Sequence, residues 1–291
     1  MQCLICGGDR FVCIHKGTRD IPQINVMKCR QCGMVQLDST EYNTTSNYRG
    51  GGMLKDTYAA VADQTADMSW ETWIQETKPD DDRRYESLKE MCTGKAVLEF
   101  GCGNGGFLRR IKNAAANVAG IELMDEARDN LAKEGISVYR SIDEIDKTYD
   151  VVCMFMVIEH LNHPDEILKK IWDVLKPGGV FICETPNAED ALISKYECNE
   201  FQDFTYWSEH VLLFTSETLE KLLLRNGYKT RVNTQMQRYP LANHLYWLSK
   251  GKPGGHIKWK EFNEKKLVEA YTAMLISQGT ADTLWYIGEK D

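Results

Sequence analysis

The chain has no apolar run approaching the ~20 residues that a membrane-spanning helix needs; its longest, Val151 to Ile158, falls far short. It has no basic excess either. Lys and Arg number 35 against 43 Asp and Glu, a formal charge of −8, whereas an extended nucleic-acid surface is normally basic. The opening Met1-Gln2-Cys3 shows no charged segment with an apolar stretch behind it, so no cleavable leader and no membrane insertion are expected, and the expected location is cytoplasmic. No internal repeat or low-complexity tract is present. The remainder is ordinary: 43% hydrophobic and 27% charged residues over a length of 291 suit one sizeable soluble domain with attachments, or two smaller ones.

Cysteine is plentiful, at ten, but its distribution does not suggest a disulfide scaffold. Cys13, Cys92, Cys102, Cys153, Cys183 and Cys198 are scattered, several in apparent core strands where a thiol acts as a small hydrophobe. The other four form two Cys-x-x-Cys pairs, Cys3/Cys6 and Cys29/Cys32, each followed by glycine. Two such knuckles joined by a hairpin make a four-thiolate tetrahedral site suited to structural Zn²⁺. Residues 1–40 are therefore read as a zinc ribbon, too small to fold without metal. Cys13 and His15 are lesser candidate ligands. The ribbon has no basic stripe, so a structural or substrate-capping role is favoured over RNA binding.

Downstream, residues 41–93 read as a helical linker or lid, with helices near Leu54–Thr77 and Asp81–Met91 and a joint at Gly50-Gly51-Gly52. Tyr48, Tyr58 and Trp70 are candidate ligand contacts or simple packing. From residue 94 strands and helices alternate, which predicts a parallel α/β sheet covered on both faces. Strands are expected at Ala96–Phe100, Asn117–Ile121, Ser137–Arg140, Asp150–Met156, Gly179–Glu184 and Tyr228–Val232. Helices are expected from Asp165 to Pro177 and over Ser216–Asn226, with His163 as a cap. Residues 240–280 read as an insertion with a loop at Lys250–His256 and a helix at Phe262–Gln278. The last strand, Thr283–Ile287 within 281–291, then returns to the core of 94–239.

The most telling stretch is Glu99-Phe100-Gly101-Cys102-Gly103-Asn104-Gly105-Gly106, a strand that breaks into a glycine loop and opens a helix. Glycines permit a sharp bend and close approach to a ligand, beside helix amides free to bind it. Gly101, Gly103 and Gly106 with Glu122 also satisfy the dinucleotide fingerprint. Against a nicotinamide enzyme stand Glu99 inside the strand, Ile158-Glu159-His160-Leu161, and the later Leu175-Lys176-Pro177-Gly178-Gly179. Together these resemble the class I S-adenosylmethionine-dependent methyltransferases over about residues 94–235.

That resemblance implies a Rossmann-like seven-stranded sheet and S-adenosylmethionine as cofactor. Glu99 would lie at its ammonium group, Gly101, Cys102, Gly103 and Gly105 along its methionine part, Glu122 and Leu123 at the ribose, and Ile142, Asp143 or Ser141 at the adenine. A general base near neutrality would serve a hydroxyl acceptor. The candidates are His160 with Glu159 after the fourth strand, and His210 with Glu209 after the fifth. In ubiquinone-pathway O-methyltransferases a similar Glu-His pair joins a further carboxylate to hold a divalent ion; here Met156 takes that place, and metal-independent catalysis is expected. The ribbon and Trp207-Ser208-Glu209-His210 are similar to sugar C-methyltransferases, which carry tyrosine in place of Trp207 and a much larger C-terminal domain. The tail from Arg238 to His256 resembles bacterial surface-polysaccharide methyltransferases, implying a polar sugar-linked, nucleotide-linked or phosphorylated acceptor. RNA methylation guided by the ribbon, or sugar C-methylation, are alternatives, as is a silent cofactor-binding regulator. No Asp/Asn-Pro-Pro-Tyr tetrad follows the fourth strand, which disfavours N-methylation of nucleic-acid bases.

Overall fold

The structure, a computed structural model, describes residues 1–49 and 69–291. The expected glycine joint, Tyr58 and the first part of the helix expected from Leu54 lie outside the described residues. The ribbon strands are β1 (Phe11–His15), β2 (Val26–Cys29) and β3 (Val35–Leu37). The core contributes β4 (Ala96–Phe100), β5 (Asn117–Ile121), β6 (Ser137–Tyr139), β7 (Tyr149–Phe155) and β8 (Leu175–Pro186). A two-residue β9 (Leu212–Leu213) precedes β10 (Lys229–Met236) and β11 (Thr283–Glu289).

The seven-stranded sheet has the order β10-β11-β8-β7-β4-β5-β6. Strands β4 to β8 run parallel, and β11 pairs antiparallel with both β8 and β10. This is the expected Rossmann-like sheet with a helical insertion before its last strand. Three strands are longer than expected, β11 by the two residues to Glu289. β8 begins at Leu175, and β10 continues to Met236 along its partner β11. Most of β10 is polar and only partly buried, so hydrophobicity marks neither of its ends.

One face of the sheet carries Val97, Cys153, Phe155 and Ile182 against Leu88, Phe107, Leu108 and Ile111. These come from the long helix Trp70–Cys92 and the short Gly106–Ile111. The long helix is continuous through Pro79, where a break between two helices was expected; Ser69 caps its start by accepting from Thr72 N–H. On the other face, Leu98, Val152 and Phe181 pack with Leu168, Ile171, Leu219 and Leu222, from helices Pro164–Val174 and Ser216–Arg225.

The ribbon belongs to this second core: Ile24, Val26, Met34, Val35 and Leu37 lie in the same apolar cluster. Its sheet is completed by β9, which pairs Val35 with Leu213 and Gln36 with Leu212. The 240–280 insertion folds as helices Leu241–Lys250, Gly255–Lys258 and Lys265–Ser277. Because β10 runs in the direction of β8, this insertion leaves and re-enters at the carboxyl edge of the sheet, where α/β folds bind ligands.

Candidate functional site

β4 brings Glu99 to that edge, and the chain bends through Gly101 (φ 72°) and Gly103 (φ 52°). A side chain at Gly101 would run into Val157, and one at Gly103 would press on Trp73, so backbone and space both require glycine. The amides of the loop itself are engaged. Gly101 and Cys102 donate to Ile121 O at 2.8 and 3.0 Å, and Gly105 donates to Cys102 O at 2.8 Å. Gly103 N–H donates to Glu122 Oε2, also at 2.8 Å. The loop therefore offers close backbone approach rather than free donors.

Beside it lies an acid with one oxygen unbonded. Glu99 is 4% exposed and its Oε2 makes no hydrogen bond. Burial drives its pKa well above the usual carboxylate range; Arg84 opposes this, and the neighbouring acids reinforce it. Glu122 accepts from Gly103 through one oxygen and from Met124 N–H through the other at 2.9 Å, and each oxygen keeps a second lone pair. Cys102 is buried, its sulfur occupying the space a side chain at Gly120 would need. Leu123 is half-buried, its carbonyl accepting from Arg128. Ile142 is buried. Asp143 is exposed and turned away: its carboxylate pairs with Lys170 at 2.8 Å and its N–H donates to Ser141. Ser141 and Asp143 are thus engaged with each other.

The two catalytic histidine candidates, distant in sequence, stand together. Their ring centroids are 4.8 Å apart, and Trp207 meets both edge-on. His160 Nδ1 donates to the Glu209 carbonyl at 2.9 Å, which fixes its tautomer and leaves a lone pair on Nε2. That nitrogen lies 3.9 Å from Glu159 Oε1. Glu159, His160 and His210 each bring one polar atom within 4.8 Å of the others. Burial lowers His160 to a pKa of about 4 and His210 well below its ordinary value. Burial raises Glu159 to about 7, against a hydrogen bond from Thr185. The group poised near neutrality is thus the carboxylate, not a histidine as expected. Tyr48 joins them, its ring 5.9 Å from His160 and its hydroxyl donating to Asn43 at 3.0 Å. Trp70 packs on Trp73 and under Arg109 instead. His163 occupies the cap position of its helix but makes no capping bond.

The four ribbon cysteines converge as expected. Cys3 and Cys32 sulfurs lie 3.4 Å apart, and Cys6 and Cys29 3.6 Å. A tetrahedral ion with Zn–S bonds of ~2.3 Å sets sulfurs roughly 3.8 Å apart, so the donor set fits zinc. The lesser candidate His15 bonds Asp203 and Gly17 O instead, and Cys13 is exposed.

A polar lattice escaped sequence reading. Arg84 grips Glu184 through Nε and Nη2 at 3.2 and 2.9 Å, Arg83 reaches the same carboxylate at 2.9 Å, and Arg238 pairs with Asp80. The run Asp80-Asp81-Asp82-Arg83-Arg84 reads as a solvated helix face; the usable signal was Glu184 at the end of an apolar strand. Near it, the cap and the segment after β10 border an open cleft of about 430 Å³ where Gln237, Arg238, Asn263, Lys265, Glu269 and Thr272 stand beside Pro240 and Val268.

A methyltransferase domain family matches residues 70–231. The chain belongs to that family. The match takes in the long helix, the glycine loop, both histidines and β8. A "probable S-adenosylmethionine-dependent methyltransferase" of Mycolicibacterium smegmatis is 37% identical over 111 residues, covering 35% of this chain and 42% of that protein. The ubiquinone biosynthesis O-methyltransferase of Shewanella pealeana is 32% identical over 107 residues, or 32% and 44% of the two chains. The human mitochondrial enzyme of that name is 26% identical over 175 residues, or 53% and 47%. The chain thus spans less than half the length of these curated relatives. In fold, the methyltransferase domain resembles magnesium protoporphyrin IX methyltransferase from Synechocystis, with bound SAH, at a TM-score of 0.53, 10% identity and coverage of 85% and 98%. The Mycobacterium tuberculosis cyclopropane synthase gives 0.50, 15%, 87% and 100%. Among the described residues no helix is long and apolar enough to cross a membrane.

Proposed function

We propose that this methyltransferase domain transfers the methyl group of S-adenosylmethionine to a hydroxyl of a polar small molecule. The acceptor class is a sugar, a nucleotide-linked sugar or another phosphorylated precursor of surface polysaccharide. The observation that carries this reading is the convergence of Glu159, His160 and His210 beyond β7, the strand next to Glu99 and the glycine loop. The cleft beside the cap, where Arg238, Lys265, Gln237, Asn263 and Thr272 stand with Glu269, Val268 and Pro240, suits an acceptor that has both polar and apolar parts.

The residues present fit the cofactor: the unpartnered Glu99 oxygen suits an ammonium group, and the glycine bend admits a ligand against the backbone. Glu122 would accept the ribose hydroxyls, and Ile142 would face the adenine. When bound, the cofactor supplies an electrophilic methyl on a sulfonium centre, for which the protein need only align the acceptor and remove a proton. His160 keeps a lone pair on Nε2 and, being neutral, takes that proton. Glu159 beside it, when ionised, stabilises the imidazolium that forms. Tyr48, Trp207 and the neighbouring loop narrow the access of water to the pair.

Incubating the full chain with isotopically labelled cofactor and a panel of sugar nucleotides and sugar phosphates, read by mass spectrometry, tests this. Label in a hydroxyl of a panel member is expected, with His160→Gln and His210→Gln lowering turnover by about a hundredfold or more. Labelling of RNA alone, or full turnover in both variants, overturns the reading.

A further inference from the structure

The segment that bears His210 is held from the ribbon on both sides of the histidine, and meets the catalytic domain through the Glu209 carbonyl and Phe214. Asp20, in the loop between β1 and β2, receives two hydrogen bonds from Ser208: the N–H at 3.0 Å and the hydroxyl at 2.6 Å. Burial alone would raise the Asp20 pKa, but these bonds hold it below the ordinary value. Arg19 donates its N–H to Tyr206 O at 2.8 Å and its guanidinium to Phe204 O at 3.1 Å, and lies 4.2 Å over the Trp207 ring. Beyond His210, Leu37 N–H donates to Val211 O at 3.1 Å and β3 takes β9 as its neighbour. His210 therefore stands between two anchor points, both supplied by residues 19–37. His160 follows, because its tautomer and angle are set by the carbonyl of Glu209 in the same segment.

We infer that the four-cysteine ribbon is the positioning frame of the histidine pair, with Asp20 and Arg19 as its positioning residues. The inference rests on the catalytic reading only for its consequence, since the placement of the rings is observable without turnover. A ribbon whose knuckles are closed by the metal keeps the β1–β2 loop and β3 in fixed relation. A charge-assisted pair of bonds onto Ser208 then leaves the next two residues little freedom. The glycine loop and Glu122 lie on other elements and make none of these contacts, so cofactor binding should not depend on them.

The test uses full-length, zinc-loaded protein with ¹³C,¹⁵N-labelled histidine, its six ring signals assigned by single His→Gln changes. In Asp20→Asn the ring cross-peaks of His160 and His210 are expected to shift or broaden at pH 7. His244, buried in the cap, should not move, and S-adenosylmethionine affinity by calorimetry should stay within about twofold. Ser208→Ala, which removes one of the two bonds and spares the ribbon, should shift the same two signals less, and Ser208→Thr should restore them. Stripping the metal with a chelator should move the His15 signal as well. Unmoved His160 and His210 signals in both Asp20→Asn and Ser208→Ala overturn the inference, as does a uniform shift of all six. Either result leaves the catalytic reading standing. Conversely, full methyl transfer by His160→Gln and His210→Gln overturns that reading and not the frame.

Discussion

Single carboxylates separate by environment in this domain, and their titration is the most direct check on their roles. Glu122 bonds two backbone amides while facing the cofactor loop. Glu122→Ala should therefore weaken S-adenosylmethionine binding by about 1.5–3 kcal/mol, roughly ten- to a hundredfold, by calorimetry. Burial raises Glu159 to about 7, and on the proposed reading its ionised form, 3.9 Å from His160 Nε2, supports proton uptake by that histidine. The rate at saturating cofactor should rise as pH passes upward through 7, and Glu159→Gln should abolish that limb. Asp190 is a buried carboxyl raised to about 8 by desolvation and by Asp282. The sign follows from linkage: between an unfolded value near 4 and about 8 the folded state holds the extra proton, so stability falls as pH rises through that window. Asp190→Asn keeps the acceptor that caps Leu192 N–H. It should raise stability at pH 8 by on the order of 1–2 kcal/mol and flatten the profile, measured by urea unfolding from pH 5 to 9.

At the scale of elements, the helix Trp70–Cys92 is attached to the sheet by charge as much as by apolar packing. Only Leu88 and Cys92 bury apolar side chains fully, whereas Asp81 and Arg84 are buried too. Glu184 has no exposed surface and depends on Arg83 and Arg84. Removing one partner strands a buried charge, which typically costs about 3–5 kcal/mol; Arg83 remains, so Arg84→Met should cost less, about 2–4 kcal/mol in chemical denaturation. Arg84→Met with Glu184→Leu should recover much of the loss. An additive double variant would mean the two side chains do not act as a pair.

For the whole molecule, the ribbon and the methyltransferase domain share one apolar cluster and a strand, so they should unfold together. Metal removal is expected to lower the melting temperature of a single transition, by about 2–4 °C per kcal/mol lost. Two separated calorimetric transitions would show instead that the ribbon melts by itself. The cap adds the other long-range closure, through Arg238 N–H and Tyr239 N–H donating to Asp282 at 3.0 Å and the Arg238–Asp80 pair. It thereby links the last strand, the insertion and the helix Trp70–Cys92.

Local chemistry made much of this legible from residues alone. The alternation of apolar strands and helices between Ala96 and Pro186, the glycine bend after Glu99 and the two Cys-x-x-Cys pairs each depend on neighbours close in the chain, and each is present in the expected order, although the helix expected to reach Pro177 ends at Val174 and gives way to β8. What depends on distant partners was not legible. The ends of β10, the buried Arg84–Glu184 lattice and the pairing of His160 with His210 all require tertiary contact. A charged residue on a helix carries no mark of whether it faces water or a buried carboxylate, and a histidine carries none of how far burial will lower its pKa. Residue pattern therefore determined the parallel α/β sheet and its ligand-binding bend, and the motif resemblance supplied the cofactor class. Tertiary structure decided which group titrates near neutrality and which segment holds it in place, because desolvation and hydrogen-bond geometry exist only once the chain is packed.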